Sequence, residues 1–338
     1  MNITRVKLFL LILIAVFLVS CEGDQQRKFL YLQGFTQGTS YHIAYNSPDS
    51  IDYHDQIRII FDEIDYSMST YNPESVISGI NRNDPGVVAD DYFISVFERA
   101  REISALTGGA FDITVAPLVN AWGFGFKEME NVTPALIDSL LHFVGLEKVG
   151  LDENMEVVKK HPDIMIDMNA IAKGYTVDVV AEFFDDKGVT DYMIEIGGEI
   201  RLKGANRNNQ LWRIGIDKPV DDPTDISREL EEVLHLTGTS LATSGNYRRY
   251  YEKDGQRFAH TIDPVSGYPV QHNLLSATVI APTCMDADAF ATAFMVMGLE
   301  KSMEMANSNP ELEAYFIYDL GGLTAIAYTA GIEEMISR

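Results

Sequence analysis

Asp288 and Thr292 stand four residues apart in the segment DADAFATAFMVMG, residues 286–298. Ala289, Phe290, Ala293, Phe294 and Met297 have the spacing of an apolar helix face, so the carboxylate and the hydroxyl share one side of a helix. Two such oxygens suit Mg²⁺, a hard cation that takes oxygen ligands and keeps some of its waters. A structural account also fits: a first-turn acid favoured by the helix dipole, and a threonine bonded back to its own helix. Asp286 projects elsewhere and reads as an N-cap or first-turn acid.

Three further segments carry chemistry-bearing residues. IMIDMNAIAKGYTVD (164–178) runs from an apolar strand, with Asp167 at its end, into a helix whose first turns hold Lys173 and Gly174. Open helix N-termini present N–H groups to anions, and a lysine there meets phosphate as a point charge. The segment lacks the glycine spacing of a Walker motif, and Asp178 reads as a solvated helix residue. In TGGAFDITVAPLVNAWGFG (107–125), Gly108 and Gly109 permit close backbone approach. Phe111 and Trp122 offer flat apolar surface, Trp122 more naturally to the core, and Asp112 suits a ring N–H or a ribose hydroxyl. The alternative for this stretch is a helix cap followed by a buried strand. In ATSGNYRRYY (242–251) and HTIDPVSGYP (260–269), Arg248 or Arg249 is placed to face an anion. His260 and Asp263 lie three apart before Pro264, which favours an extended or turn geometry.

The elements that must hold these residues follow from periodicity. Helical spacing predicts helices at 51–68, 91–106, 133–144, 170–185, 285–298 and 299–307. Alternation and turn residues predict strands at 29–35, 40–46, 155–159, 164–168, 191–196, 199–203, 211–216, 233–238, 247–252, 274–281, 313–318 and 323–329. No repeat and no Gly/Ser/Pro linker divides the chain, so a single compact α+β unit with two lobes is expected over residues 29–338.

Composition narrows the partners. The chain has 338 residues and a formal charge of −24, which disfavours nucleic acid because phosphate binding needs a basic face. Arg5 and Lys7 precede an apolar run from Leu8 to Val19, too short to span a bilayer comfortably. Leu18-Val19-Ser20-Cys21 then has the form of a lipobox, so residues 1–20 are expected to be a lipoprotein signal peptide, Cys21 the lipidated residue and residues 21–28 a polar tether. That places the domain outside the cytoplasm of a bacterium, on the periplasmic side, held to the membrane by acyl chains alone. The remaining thiol, Cys284, cannot form an internal disulfide, and the histidines and cysteines make no zinc-type cluster.

Taken together, GTSY, STYNPESVISGIN, TGGAFDITVAPLVNAWGFG, DMNAIAKGYTVD, IGGEI, ATSGNYRRYY, HTIDPVSGYP and ADAFAT, in this order between residues 38 and 292, resemble the ApbE-type family of FAD:protein FMN transferases. The resemblance implies a T-fold-like α+β core of mixed, largely antiparallel sheets. It implies Mg²⁺-dependent transfer of the FMN half of FAD onto a threonine or serine of an exported or membrane redox protein, with release of AMP. Carried over by motif, the metal ligands are Asp288, Thr292 and backbone carbonyls at Ala170 and Ala291. FAD is held around Gln37, Tyr71, Ala110, Phe111, Asp112, Asp167, Lys173 and Ile262, and His260 corresponds to the family's histidine implicated in catalysis. His260 is the candidate base for the acceptor hydroxyl, with Asp263 to orient it; the alternative is that the metal and positioning do most of the work. Two departures stand out: Gln37 replaces the family's usual methionine, and Met168-Asn169-Ala170 replaces a leucine-glycine-glycine run. An FAD pyrophosphatase or a non-catalytic flavin-binding lipoprotein would carry nearly the same residues.

Overall fold

The structure is a computed structural model that describes residues 27–125, 132–219, 229–246, 250–253 and 256–336. A hairpin, β1 (Phe29–Thr36) and β2 (Thr39–Asn46), leads into α1 (His54–Met68), α2 (Val76–Arg82), α3 (Asp91–Leu106), α4 (Ala116–Ala121) and α5 (Pro134–Leu141). Next come β3 (Val149–Leu151), β4 (Val157–Lys159), α6 (Ala172–Asp186), β5 (Tyr192–Ile196), β6 (Glu199–Lys203), β7 (Trp212–Asp217) and β8 (Leu230–Leu236). The chain continues through β9 (Thr239–Gly245), β10 (Tyr250–Lys253), β11 (Gln256–Ala259) and β12 (Leu274–Ala281). It closes with α7 (Cys284–Met297), α8 (Leu299–Ser308), β13 (Glu313–Asp319), β14 (Thr324–Tyr328) and α9 (Ile332–Met335).

Eight strands form one sheet in the order β1-β2-β5-β6-β9-β12-β13-β14, and each neighbouring pair is antiparallel. Because strand side chains alternate, the sheet feeds two cores. Ile43, Ile194, Ala277, Val279 and Phe316 point into the main core with Val177, Val180, Phe290 and Phe294 from α6 and α7. Ala44, Leu202, Ile280, Tyr315 and Ile317 point the other way, against Trp212, Ile214 and Leu234 of the β7–β8 hairpin. Burial on both faces explains the nearly unbroken apolar reading of β12. A third cluster gathers Leu118, Trp122, Ile137, Val144 and Ile262 around α4 and α5, with the Trp122 indole N–H donating to the Gly267 carbonyl at 2.9 Å.

Two expectations change here. Residues 164–168 are extended but join no sheet, although Ile164, Ile166 and Met168 are fully buried. The Asn81 carboxamide replaces a neighbouring strand, taking Ile166 N–H at 2.8 Å and donating to its carbonyl at 2.9 Å, while Asp167 N–H donates to the Ile113 carbonyl. The stretch after Gly109 is no strand either: Pro117 opens the short α4, where its missing N–H costs nothing. The expected strand at 247–252 is described only from Tyr250, where β10 pairs with β11.

Candidate active site

Helix α7 is anchored at its N-terminus before any side chain reaches the site. Thr283 caps it, accepting Asp286 N–H at 3.2 Å. Asp178 of α6 accepts the next two free donors, Cys284 N–H at 2.9 Å and Met285 N–H at 2.8 Å, and pairs with Arg201 at 2.5 Å. Asp178 is therefore not a solvated helix residue; it is buried and joins α6, α7 and β6. Burial pushes its carboxyl up, against the pull of Arg201 and the two N–H groups. Asp286 serves as a first-turn acid turned outward onto the Arg99 guanidinium, at 2.6 and 3.0 Å.

With α7 so held, α6 lies against it closely enough that a Cβ on Gly174 would overlap the Cys284 carbonyl and touch the Asp288 Cβ. Glycine there lets backbone meet backbone, and Gly174 N–H donates to Asp288 Oδ2 at 3.1 Å. Asp288 is only 3 % exposed, yet it lines the main cleft. Beside it, Lys173 Nζ lies 3.0 Å from Glu199 Oε1 and 3.7 Å from Asp288 Oδ2. Burial works to lower the Lys173 pKa, but Asp288 and Glu199 outweigh it and hold the ammonium well above its usual range. Burial pushes the Glu199 carboxyl up, while the Lys173 ammonium beside it pulls it back down. Its Oε2 is buried with no hydrogen-bond donor. Glu199 was not singled out as a site residue from the sequence. The signal available was an acid directly after the Gly197-Gly198 turn, where both glycines have positive φ.

The cleft has a volume of about 920 Å³, within the range for small-molecule sites. Its lining includes Gln37, Tyr71, Ala110, Phe111, Asp112, Asp167, Ala170, Lys173, His260, Ile262, Asp288 and Thr292. Thr292 Oγ1 lies 3.3 Å from Ser244 Oγ. Gln37 is at the β1–β2 turn in a left-handed conformation, φ 49°, and its amide orientation is fixed. Thr176 spends its hydroxyl proton on the Ala172 carbonyl at 2.8 Å, so it can only accept from Gln37 Nε2, at 2.7 Å. Gln37 Oε1 is left buried without a donor, as is the Thr70 hydroxyl, also in the cleft. Three buried polar atoms in one cleft thus await partners, a cost that a polar ligand would relieve.

Other expected residues have duties of their own. Asp112 braces its loop: Oδ1 accepts Thr114 N–H and Oγ1–H, and Oδ2 accepts Leu146 N–H at 3.0 Å. Burial nevertheless raises its pKa, as it does that of Asp167, whose Oδ1 accepts Asn169 N–H. The His260 ring lies edge-on to Phe124, with centroids 6.3 Å apart. Asp263 does not line the cleft; its carboxylate accepts Val265 N–H within the turn that Pro264 opens. Ala291 is fully buried within α7 and is likewise outside the lining. Of the departures at 168–170, Met168 lies in the core, while Asn169 and Ala170 face the cleft. Cys21, Arg248 and Arg249 lie outside the described residues.

Among the described residues no three His, Cys, Asp or Glu side chains converge as a metal cage. The donor set suits instead a hard ion held by one carboxylate, a hydroxyl and carbonyls, with waters and ligand phosphates completing its shell. Lys173, with its single positive charge between two buried carboxylates, already shows that cations are favoured at this spot.

Solved structures share this architecture. A flavin transferase ApbE from Vibrio cholerae superposes with a TM-score of 0.81 at 34% identity, covering 91% of this chain and 99% of that one. A flavinyl transferase ApbE from Pseudomonas stutzeri, apo form, gives 0.82 at 31% identity over 92% and 97%. The fold is thus that of these flavin transferases, and the chain is a transferase. The ApbE family model matches residues 37–316, and the chain belongs to that family. Curated relatives include the FAD:protein FMN transferases of Haemophilus influenzae, 40% identical over 90% of each chain, and of Escherichia coli, 34% identical over 86% of each.

Proposed function

We propose that this chain transfers the FMN half of FAD to a threonine or serine hydroxyl of a partner redox protein, releasing AMP, with Mg²⁺ at Asp288 and Thr292. The observation that carries the reading is the meeting of Asp288, Thr292 and the Ala170 segment with Lys173 in a cleft roomy enough for a dinucleotide. The family membership and the names of its relatives support the flavin substrate.

In this reading the hydroxyl oxygen of the acceptor attacks the FMN phosphorus. The bond from that phosphorus to the bridging oxygen breaks, and AMP leaves with the electron pair. Bound Mg²⁺ would polarise the diphosphate and offset charge on the leaving group. Lys173 adds a fixed positive charge beside Asp288, which matters because the chain is strongly acidic and would otherwise repel a diphosphate. His260 takes the hydroxyl proton, while Asp263, outside the cleft lining, accepts Val265 N–H through one oxygen. Positioning supplies much of the rest, as in other phosphoryl transfers.

Intact-mass analysis of an acceptor domain after incubation with FAD, Mg²⁺ and the mature chain is expected to show the gain of one FMN residue. FMN released at the same rate without acceptor would point to a pyrophosphatase, and FAD left intact in every case would point to a binding protein. We also propose a lipid anchor at Cys21, on the strength of the Leu18–Cys21 motif. Replacing Cys21 with Ser should move the protein from the membrane fraction to the soluble fraction; unchanged partition would rule the anchor out.

A further inference from the structure

We propose that Glu199 is a positioning residue that holds the Lys173 ammonium off Asp288 and so keeps Asp288 open to a divalent cation. The inference rests on the cation site described above and adds the device that keeps it available.

Among the described residues Lys173 Nζ is the one cation placed against both carboxylates, and the two compete for it. It sits at hydrogen-bond distance from Glu199, 3.0 Å, and only at ion-pair distance from Asp288, 3.7 Å. The balance is set by how firmly Glu199 is fixed. It opens β6, is paired with Ile196 across the Gly197-Gly198 turn, and keeps only 8% of its side chain exposed. A Cβ on Gly197 would crowd Thr39 and approach Glu199 Oε2, so the turn closes over the carboxylate. Asp288 is equally constrained, since its Oδ2 already accepts Gly174 N–H. Both acids are held in place, so the position of the ammonium sets how strongly each is paired.

Charge counting gives the consequence. With Glu199 ionised, as its 3.0 Å contact with the Lys173 ammonium favours, two carboxylates and one ammonium leave a net negative charge beside the cleft, which a divalent ion can neutralise. Without the Glu199 charge, Lys173 and Asp288 form a neutral pair at the same oxygens a cation needs. An entering ion must then displace the ammonium or sit against it, and like charges at such separations repel. Glu199 thus supports cation binding without ligating the cation.

The test uses Mn²⁺ binding to the mature chain, followed by electron paramagnetic resonance in the absence of FAD. Glu199→Gln keeps the side-chain volume and an acceptor for Lys173, and is expected to weaken Mn²⁺ binding about tenfold. Adding Lys173→Met to Glu199→Gln removes the competitor and should bring affinity back to within about threefold of the native chain, which a merely misfolded site would not do. Asp288→Asn should abolish the site. Native-like Mn²⁺ affinity in Glu199→Gln, or no recovery in the double variant, overturns the role of Glu199 while leaving the Asp288 site standing. A native chain with no Mn²⁺ site, or an Asp288→Asn chain that binds like the native one, overturns both.

Discussion

Asp288→Asn is expected to lower the rate of AMP release from FAD, measured with Mg²⁺ and acceptor present, by about 10³-fold, or ~4 kcal/mol of transition-state stabilisation. The substitution is nearly isosteric and its amide oxygen still accepts Gly174 N–H, so α6 and α7 should stay in register. Lys173 keeps its 3.0 Å contact with Glu199. What disappears is the anionic ligand that places a cation against the diphosphate. The family reading makes that cation the principal compensation for developing charge, so a loss of only a few-fold would mean that the chemistry does not run through Asp288. Thermal melts of the variant close to those of the native chain would assign the lost rate to the site rather than to the fold.

The largest effect on stability is expected at Asp178. Asp178→Ala strips a partner from Arg201 and strands Cys284 N–H and Met285 N–H at the buried start of α7. Removing one side of a buried ion pair typically costs about 3–5 kcal/mol. Arg201 keeps 24% of its side chain exposed and can recover some hydration, so the lower end, about 3 kcal/mol, is expected, read as a fall in the urea midpoint at constant slope. A change below about 1 kcal/mol would show that α7 does not depend on α6 for its N-terminal satisfaction.

How much of this was legible beforehand depended on the range of the interaction. The helices at 54–68 and 91–106 were readable because Ile57, Ile60, Phe61 and Ile64, and Phe93, Val96, Phe97 and Ala100, repeat at helical spacing and pack into one core. Asp288 and Thr292 were readable for the same reason, since four residues on a helix fix a shared face whatever surrounds it. The 164–168 segment looked like a strand because its apolar residues do alternate. Its partner proved to be the side chain of Asn81, 85 residues away from Ile166, and no local pattern announces that. Asp178 was misread because its partners lie at Arg201, Cys284 and Met285; in isolation it is one more acid on a helix. Asp263 looked ready to orient His260, but an aspartate before proline bonds within its own turn, and here it does. Much of the remaining cleft was visible only through family resemblance, because residues such as Gln37 and Tyr71 have no chemistry legible from local spacing.

The cleft draws on the β1–β2 turn, the stretch after α3, the start of α6, the first residue of β6 and the middle of α7. It therefore has no existence in a chain that stops short of α7. Until α7 has emerged and docked, Glu199 and Lys173 lack Asp288. On the proposed function, flavin capture must then wait until α7 is made and docked against α6, a pairing of distant segments and so a class of contact that forms slowly. A nascent chain that ends before α7 lacks the Asp288–Thr292 face of the cleft.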